Sequence, residues 1–148
     1  MLHADVSYRI LRAAFALYNS IGPDYRELVY HKGMIVEMNR DLLRFRSEVP
    51  VSVIHRGVDI GDYRCDFTVD DRVLVELKAV EQLEKAHFAQ LLNYLRVSGM
   101  EVGLLINFGR SRVTWRRGVK TADGRTEEAK PEPTRPAGGV SPRLKKPA

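Results

Sequence analysis

Two acidic residues and one lysine are the side chains of this sequence whose types and spacing could do chemistry together. Asp66, Glu76 and Lys78 lie in a stretch that alternates apolar residues with others and turns at Asp70-Asp71, which predicts a β-hairpin. Residues two apart on a strand share a face, so Glu76 and Lys78 point the same way, and Asp66 reaches that face where the register allows. Two carboxylates bind a hard divalent cation through oxygen, and a neighbouring lysine can orient or activate a water molecule.

The same spacing has a simpler interpretation. A strand with alternating charge is commonly a solvated face, and a Glu-x-Lys triplet occurs by chance in many chains. The neighbours of Glu76 and Lys78 favour the chemical interpretation, because the other residues from Val73 to Lys78 make the strand apolar on both faces. Such a strand is typically central, and charges in it are costly unless they are paired or bound to a metal.

The composition is that of one folded domain with a basic end. The 148 residues are 44% hydrophobic and 29% charged, enough for one hydrophobic core and too short for two comfortable domains. The net charge of +5 permits binding to a polyanion without establishing it. Five of the seven prolines lie beyond Lys130, between charged residues, glycines and a serine. This predicts a folded domain over 1–118 and a disordered, Pro-rich basic tail over 119–148.

Cysteine usage and hydropathy argue against several classes of protein. Cys65 is the single cysteine, which excludes an internal disulfide or a cysteine-based zinc site and fits a reducing cytosol. Its place beside Asp66 suggests a small core residue rather than a nucleophile. No apolar run of about 18 residues occurs, so no membrane helix is predicted. The first residues lack a basic region followed by an apolar one, so no secretory signal is predicted and a cytoplasmic location is expected.

The periodicity of apolar residues predicts the order α-α-β-β-β-α-β-β. Pro50 argues for an edge position of the first strand. Gly33 is either a weak point of the second helix or a place where another element packs closely. The order indicates an α/β fold in which helices flank a mixed sheet. Helices are expected over about 5–20, 24–40 and 83–97, and strands over about 48–54, 58–69, 73–78, 102–108 and 113–116.

The second helix begins with a recognisable motif. Glu27 and Tyr30 fit a Gly-x-x-Glu-x-x-Tyr signature in which Asp24 stands at the place of the glycine. Aspartate is among the few residues that tolerate a positive φ, at some cost in stability, so the departure affects loop geometry more than chemistry. Taken alone, Glu27 is a first-turn carboxylate that favours its helix.

Further motifs follow in an order that matches one known family. The third helix carries a Gln90-x-x-x-Tyr94 pair, and residues 103–109 form an apolar strand ending in Asn-Phe-Gly. Together with Asp66 and the triplet 76–78, these motifs resemble the GxxExxY family within the PD-(D/E)XK nuclease superfamily. The resemblance covers about 6–116 and implies a restriction-endonuclease-like core that hydrolyses phosphodiester bonds with Mg²⁺ or Mn²⁺.

The resemblance also implies roles for individual residues. Asp66, Glu76 and the main-chain carbonyl of Leu77 would hold the metal, and Glu27 would reach it directly or through water. Lys78 would position the attacking water or stabilise the developing negative charge. The residues that could hydrogen-bond the lysine, the water or a phosphate are Gln90 and Tyr94. The expected nucleic-acid contacts are Tyr30, His87, Arg112, Trp115 and Arg116.

Each of these contacts has an alternative. Tyr30 could be a core residue, His87 a packed or exposed histidine, and Trp115 with its neighbouring arginines an edge strand with a solvated basic face. Gln90 and Tyr94 could form a polar helix flank. A partner protein that supplies specificity is a further expectation, and the oligomeric state is left open.

The function expected is metal-dependent hydrolysis of nucleic acid, DNA in preference to RNA. One alternative is a catalytically silent module on the same fold that binds nucleic acid or protein. A second is a small-molecule enzyme using the same carboxylates, although the sequence has no Gly-rich phosphate loop that would favour a nucleoside triphosphate.

Overall fold

A mixed β-sheet with helices on both faces forms the part of the chain that the computed structural model describes, residues 2–61 and 63–129. This architecture confirms the predicted α/β class. The elements are, in chain order, helices α1 (Ala4–Ile21) and α2 (Glu27–Arg40), strands β1 (Phe45–Val51), β2 (Ile54–His55), β3 (Val58–Asp59), β4 (Tyr63–Val69) and β5 (Val73–Lys78), helix α3 (Lys85–Ser98), and strands β6 (Val102–Phe108), β7 (Val113–Lys120) and β8 (Thr126–Glu128).

The main sheet has the strand order β1-β4-β5-β6-β7-β8. Strands β5 and β6 are parallel, and the other neighbouring pairs are antiparallel. Helix α3 supplies the long crossover that a parallel pair requires. Strand β5 is an inner strand, as its apolar sequence predicted. Strand β1 lies at an edge, where Pro50 costs no internal hydrogen bond.

The two faces of the sheet carry separate cores. Helices α1 and α2 cover one face, where Phe15 and Met34 share a buried cluster with Val75 of β5. Helix α3 covers the other, where Leu91 packs in a cluster with Leu74. Adjacent residues of β5 therefore enter opposite cores, each side chain contributing about 2 kcal/mol by its burial. Strand β5 is held from both sides, which makes its end a rigid place for a site.

Gly33 lies where α1 and α2 pack together. A Cβ atom at this position would lie 2.5 Å from Cδ1 of Leu17, a separation that real side chains do not adopt. The missing side chain lets the two helices approach closely, so the packing interpretation of this glycine is the correct one.

The β4–β5 hairpin turns where the sequence predicted. Asp70 and Asp71 both adopt positive φ angles, 53° and 51°, and the N–H of Arg72 donates to the carbonyl of Val69. Two consecutive left-handed residues match the right-handed twist of a hairpin, and aspartate tolerates this region better than most residues.

The predicted strand over 58–69 is interrupted. Its first two residues, Val58–Asp59 (β3), pair with β2 in a separate two-stranded sheet, across a tight turn in which Arg56 and Gly57 have positive φ angles of 48° and 79°. The main sheet resumes only at Tyr63. Alternation of residue types did not reveal the break after Asp59, because alternation alone does not say which strand a segment pairs with.

The predicted domain boundary at residue 118 falls inside β7 and needs correction. Strand β7 continues to Lys120, and β8 pairs with it antiparallel, with Gly118 opposite Glu128. The three residues of β8 are polar or charged and carry no apolar period, so nothing in their pattern predicted a strand. Residues 130–148 of the predicted tail lie outside the described residues. No helix within the described ranges is both long and apolar enough to span a membrane.

Candidate active site

The carboxyl groups of Asp66 and Glu76 meet where β4 and β5 separate. The strand pairing runs as far as Phe67 opposite Val75, and beyond it side chains replace backbone partners. The N–H of Asp66 donates to Oε1 of Glu76 over 3.0 Å, and the N–H of Leu77 donates to Oδ2 of Asp66 over 2.7 Å. Each carboxyl group therefore binds the strand that carries the other, which fixes the two side by side.

Glu76 is buried, with 7% of its surface exposed. Burial, followed by the charge of neighbouring Asp66, raises the pKa of its carboxyl group from 4.5 to about 8. Without a cation, this environment therefore favours the protonated form of the group. A divalent cation placed against the pair would favour the ionised form. The pair thus has the electrostatic character of a site that accepts positive charge.

Lys78 and Glu27 lie within electrostatic reach of this pair. Partial desolvation raises the pKa of the Glu27 carboxyl group, and the ammonium group of Lys78 opposes that rise. Lys78 also lowers the pKa of Glu76, and Asp66 raises that of Glu27. Glu27 is the first residue of α2, and Lys78 is the last of β5, so the helix start and the strand end bring the four charges into one neighbourhood.

The donor set fits a magnesium site of the two-carboxylate kind. In the described ranges, no group of three or more His, Cys, Asp or Glu side chains lies close enough together to hold a metal. Mg²⁺ is commonly bound through one or two carboxylates and keeps several waters, so Asp66 and Glu76 meet its minimum requirement.

Tyr94 and Gln90 are on α3, on the face of the sheet opposite to the one that α2 and Glu27 cover. Tyr94 is buried, and burial followed by the charge of Glu76 raises the pKa of its hydroxyl to about 12. Its ring lies 5.8 Å from that of Tyr63, which is half exposed. Gln90 is one turn earlier and partly buried. The structure thus brings Tyr94 into the electrostatic neighbourhood of Glu76.

A cleft of about 720 Å³ opens between the start of α3 and the β6–β7 loop, and His87 and Arg112 both line it. Asn107, which pairs with Lys78 in the sheet register, forms part of its wall. The amide of Asn107 accepts a hydrogen bond from the N–H of Val80 and donates one to its carbonyl, both over 2.9 Å. This double contact fixes the chain that follows Lys78.

Tyr30 is not available to nucleic acid, and its predicted contact role is wrong. Its side chain is fully buried, and its ring stacks on Phe108 with centroids 4.3 Å apart. Its hydroxyl donates to the carbonyl of Gly22 over 2.8 Å. The alternative interpretation of Tyr30 as a core residue is correct, because the aromatic ring fills the space between α2 and the end of β6.

Trp115 and Arg116 do not form one contact surface. Trp115 packs edge-on against Phe15, 5.7 Å between centroids, on the face that α1 covers. Arg116 faces α3, where its guanidinium lies 3.9 Å from the centroid of Phe88 and makes two hydrogen bonds of 2.8 Å to Glu128. Consecutive strand residues point to opposite faces, so the two side chains are separated by the sheet.

The sequence predicted the environment of Cys65 correctly but did not indicate a role for His31. Cys65 is buried and its thiol pKa is raised to about 12 by that burial, which confirms a core residue rather than a nucleophile. His31 received no role from the sequence, yet its Nδ1 lies 3.0 Å from Oδ1 of Asp66. The available signal was its place one helical turn after Glu27, on the same face of α2.

A mixed sheet with a carboxylate pair at the end of an inner strand, followed two residues later by lysine, defines a nuclease-like class of domain. The sequence profile of the PD-(D/E)XK nuclease superfamily matches residues 4–118. The chain belongs to this superfamily. The narrower GxxExxY resemblance stays a prediction.

Comparison with individual proteins adds little beyond the superfamily. The crystal structure of SSO0001 is similar, with a TM-score of 0.48 and 19% sequence identity. The similarity covers 62% of this chain and 48% of that one, so the chain spans about half the length of that protein. No curated protein matches the chain.

Proposed function

We propose that this chain is a metal-dependent nuclease that hydrolyses phosphodiester bonds of nucleic acid, with DNA as the preferred substrate. Membership of the superfamily supports the reaction class. The observation that carries the proposal is the carboxyl pair, in which buried Glu76 and partly buried Asp66 are fixed side by side by two backbone hydrogen bonds. Such a pair is costly to the fold without a cation, which favours a role in binding one.

The metal ligands in this proposal are Asp66, Glu76 and the carbonyl of Leu77. When bound, Mg²⁺ or Mn²⁺ supplies positive charge that polarises a phosphate oxygen. The ammonium group of Lys78, within electrostatic reach of Glu76 and Glu27, orients the attacking water and stabilises the negative charge that develops on the phosphate. Glu27 acts through a water molecule.

The cleft beside Lys78 is the proposed path of the nucleic-acid backbone. Arg112 lines it together with His87 and with Arg110, whose guanidinium also lies 3.7 Å from Asp24 at the surface, so positive charge faces the proposed path of the phosphates. Tyr94 and Gln90, on the α3 side of the carboxyl pair, are proposed to hydrogen-bond water or phosphate.

A silent module on the same fold is the second candidate. The absence of a third converging acidic or histidine ligand within the described ranges favours it. Such a module would bind nucleic acid or a partner protein through the same cleft and leave the phosphodiester bond intact. Binding without cleavage at any metal concentration would support this candidate.

The test is cleavage of single- and double-stranded DNA and of RNA, with Mg²⁺, Mn²⁺ or EDTA. Glu76→Gln and Lys78→Met remove one charge each at the site, and Glu127→Gln and Lys32→Met remove the same charges at exposed positions. We expect the two site variants to lose at least about 100-fold in rate and the controls to cleave as wild type. Equal cleavage by all five proteins would mean a contaminating enzyme or a different site and would overturn the proposal.

A further inference from the structure

His31 sits behind the carboxyl pair in a continuous chain of hydrogen bonds. Its Nδ1 lies 3.0 Å from Oδ1 of Asp66, and its Nε2 lies 2.8 Å from Oγ of Ser47 on strand β1. His31 is 7% exposed, and its ring stacks on Phe67 with centroids 4.3 Å apart and planes inclined by 21°. Three elements, α2, β1 and β4, therefore fix one imidazole ring in position and in plane.

The chemistry of the partners sets the direction of these hydrogen bonds. An ionised carboxylate only accepts, so the proton of a neutral imidazole must be on Nδ1 of His31 where it faces Asp66. Nε2 is then an acceptor, and the hydroxyl of Ser47 donates to it. The carboxylate thus selects the Nδ1–H tautomer of His31, and the hydroxyl of Ser47, which can donate as well as accept, complements it.

Asp66 is consequently held at both oxygens before any ligand arrives. Oδ1 faces the ring of His31, and Oδ2 accepts the N–H of Leu77 over 2.7 Å. Rotation of the carboxyl group would break both contacts, so the outward lone pairs keep a fixed direction. Because the carboxyl group of Asp66 is already immobilised, the entropy cost of ordering it is not paid when a metal binds.

We infer that His31 is a positioning residue, which orients Asp66 for the metal and is itself oriented by Ser47. The inference rests on the proposed function for its purpose, but its geometry concerns the protein without a metal. His31 donates to a carboxylate that binds the metal and does not contact the metal itself. Removing a partner of this kind typically lowers the metal affinity of a site by about 10–100-fold.

Substituting His31 with asparagine or glutamine tests the two ring nitrogens of the imidazole separately. Asparagine at position 31 places an N–H near the position of Nδ1, so His31→Asn keeps a donor to Asp66. His31→Gln extends its amide toward Ser47 and loses that donor. Ser47→Ala removes only the anchor of the ring, and His55→Gln is the control because His55 is exposed on strand β2.

The measurement is Mn²⁺ binding by titration calorimetry, with unfolding midpoints in EDTA to establish that each variant is folded. We expect His31→Gln to bind Mn²⁺ about 10–100-fold more weakly than wild type, His31→Asn to stay within about threefold, and His55→Gln to match wild type. In the ¹⁵N spectrum of the metal-free wild type, His31 should appear as the Nδ1–H tautomer, and Ser47→Ala should shift its signals.

Two results would overturn the inference: wild-type Mn²⁺ affinity in folded His31→Gln, or equal weakening in His31→Asn and His31→Gln. A wild-type protein that binds Mn²⁺ with this order of variants but cleaves no nucleic acid would overturn the proposed function and support the positioning role. A wild-type protein that binds no Mn²⁺ would overturn both.

Discussion

Replacing Glu76 with glutamine should stabilise the metal-free protein, and the gain should grow as the pH rises. The carboxyl group has a pKa of about 8 in the folded protein, raised by burial and by Asp66, against 4.5 as the ordinary value. Between these values the folded protein holds a proton that the unfolded chain has lost. Stability from this group is therefore fully present below pH 4.5 and is lost as the pH rises through 8. Glutamine has no proton to lose.

The size of the gain follows from the separation of the two pKa values. At 1.36 kcal/mol per pH unit, Glu76→Gln gains about 1 kcal/mol at pH 5, about 3 kcal/mol at pH 7 and about 5 kcal/mol at pH 9. The oxygen of the glutamine amide can still accept the N–H of Asp66, which keeps the backbone contact.

The assay is urea unfolding of wild type and Glu76→Gln in EDTA at the three pH values. Glu127→Gln is the matched control, because Glu127 is exposed on β8 and its removal should change the free energy of unfolding equally little at each pH. A Glu76→Gln gain that is the same at pH 5 and pH 9, or a loss at pH 9, would refute the reasoning. Saturating Mg²⁺ should reduce the difference between the two proteins at pH 8, since only wild type has the second carboxylate to bind it.

Three further substitutions test the fold and the cleft. Gly33→Ala should destabilise the protein by about 1–3 kcal/mol, because its Cβ would meet Leu17; a urea midpoint equal to wild type would contradict the close packing. Tyr30→Phe should lose about 1 kcal/mol with its hydrogen bond to Gly22 and bind DNA as wild type, whereas a loss of DNA affinity would restore the contact role. Arg112→Ala should weaken DNA binding uniformly across sequences and lower the slope of log K against log salt by about one, and an unchanged slope would exclude a phosphate contact.

The sequence was most informative about the hairpin that carries the carboxyl pair. Apolar alternation and the Asp70-Asp71 turn are local signals, and the apolar content of β5 identified an inner strand. These features depend on neighbours in sequence and could be read without coordinates. The register that places Glu76 beside Asp66 could not be predicted from the sequence, because a one-residue slip leaves the same alternation of residue types.

The predicted nucleic-acid contacts show where residue type alone is insufficient. Tyr30 and Trp115 are aromatic residues near polar or basic neighbours, which suits a binding surface and a core equally well. Their burial is set by Phe108 and Phe15, residues distant in the chain that only the packing of α1, α2 and the sheet brings close. His31 went unassigned for the same reason, since its partners lie on two other elements.

Side-chain hydrogen bonds replace backbone ones between β4 and β5, which limits the substitutions at the carboxyl pair that leave the fold intact. The carboxyl groups of Asp66 and Glu76 occupy the positions of strand partners, so they hold the two chains apart as well as carrying charge. Alanine at either position would leave a backbone N–H without its partner, and the two strands could then move together to fill the gap. Amide isosteres preserve the spacing, so they remove the charge without distorting the surface around it.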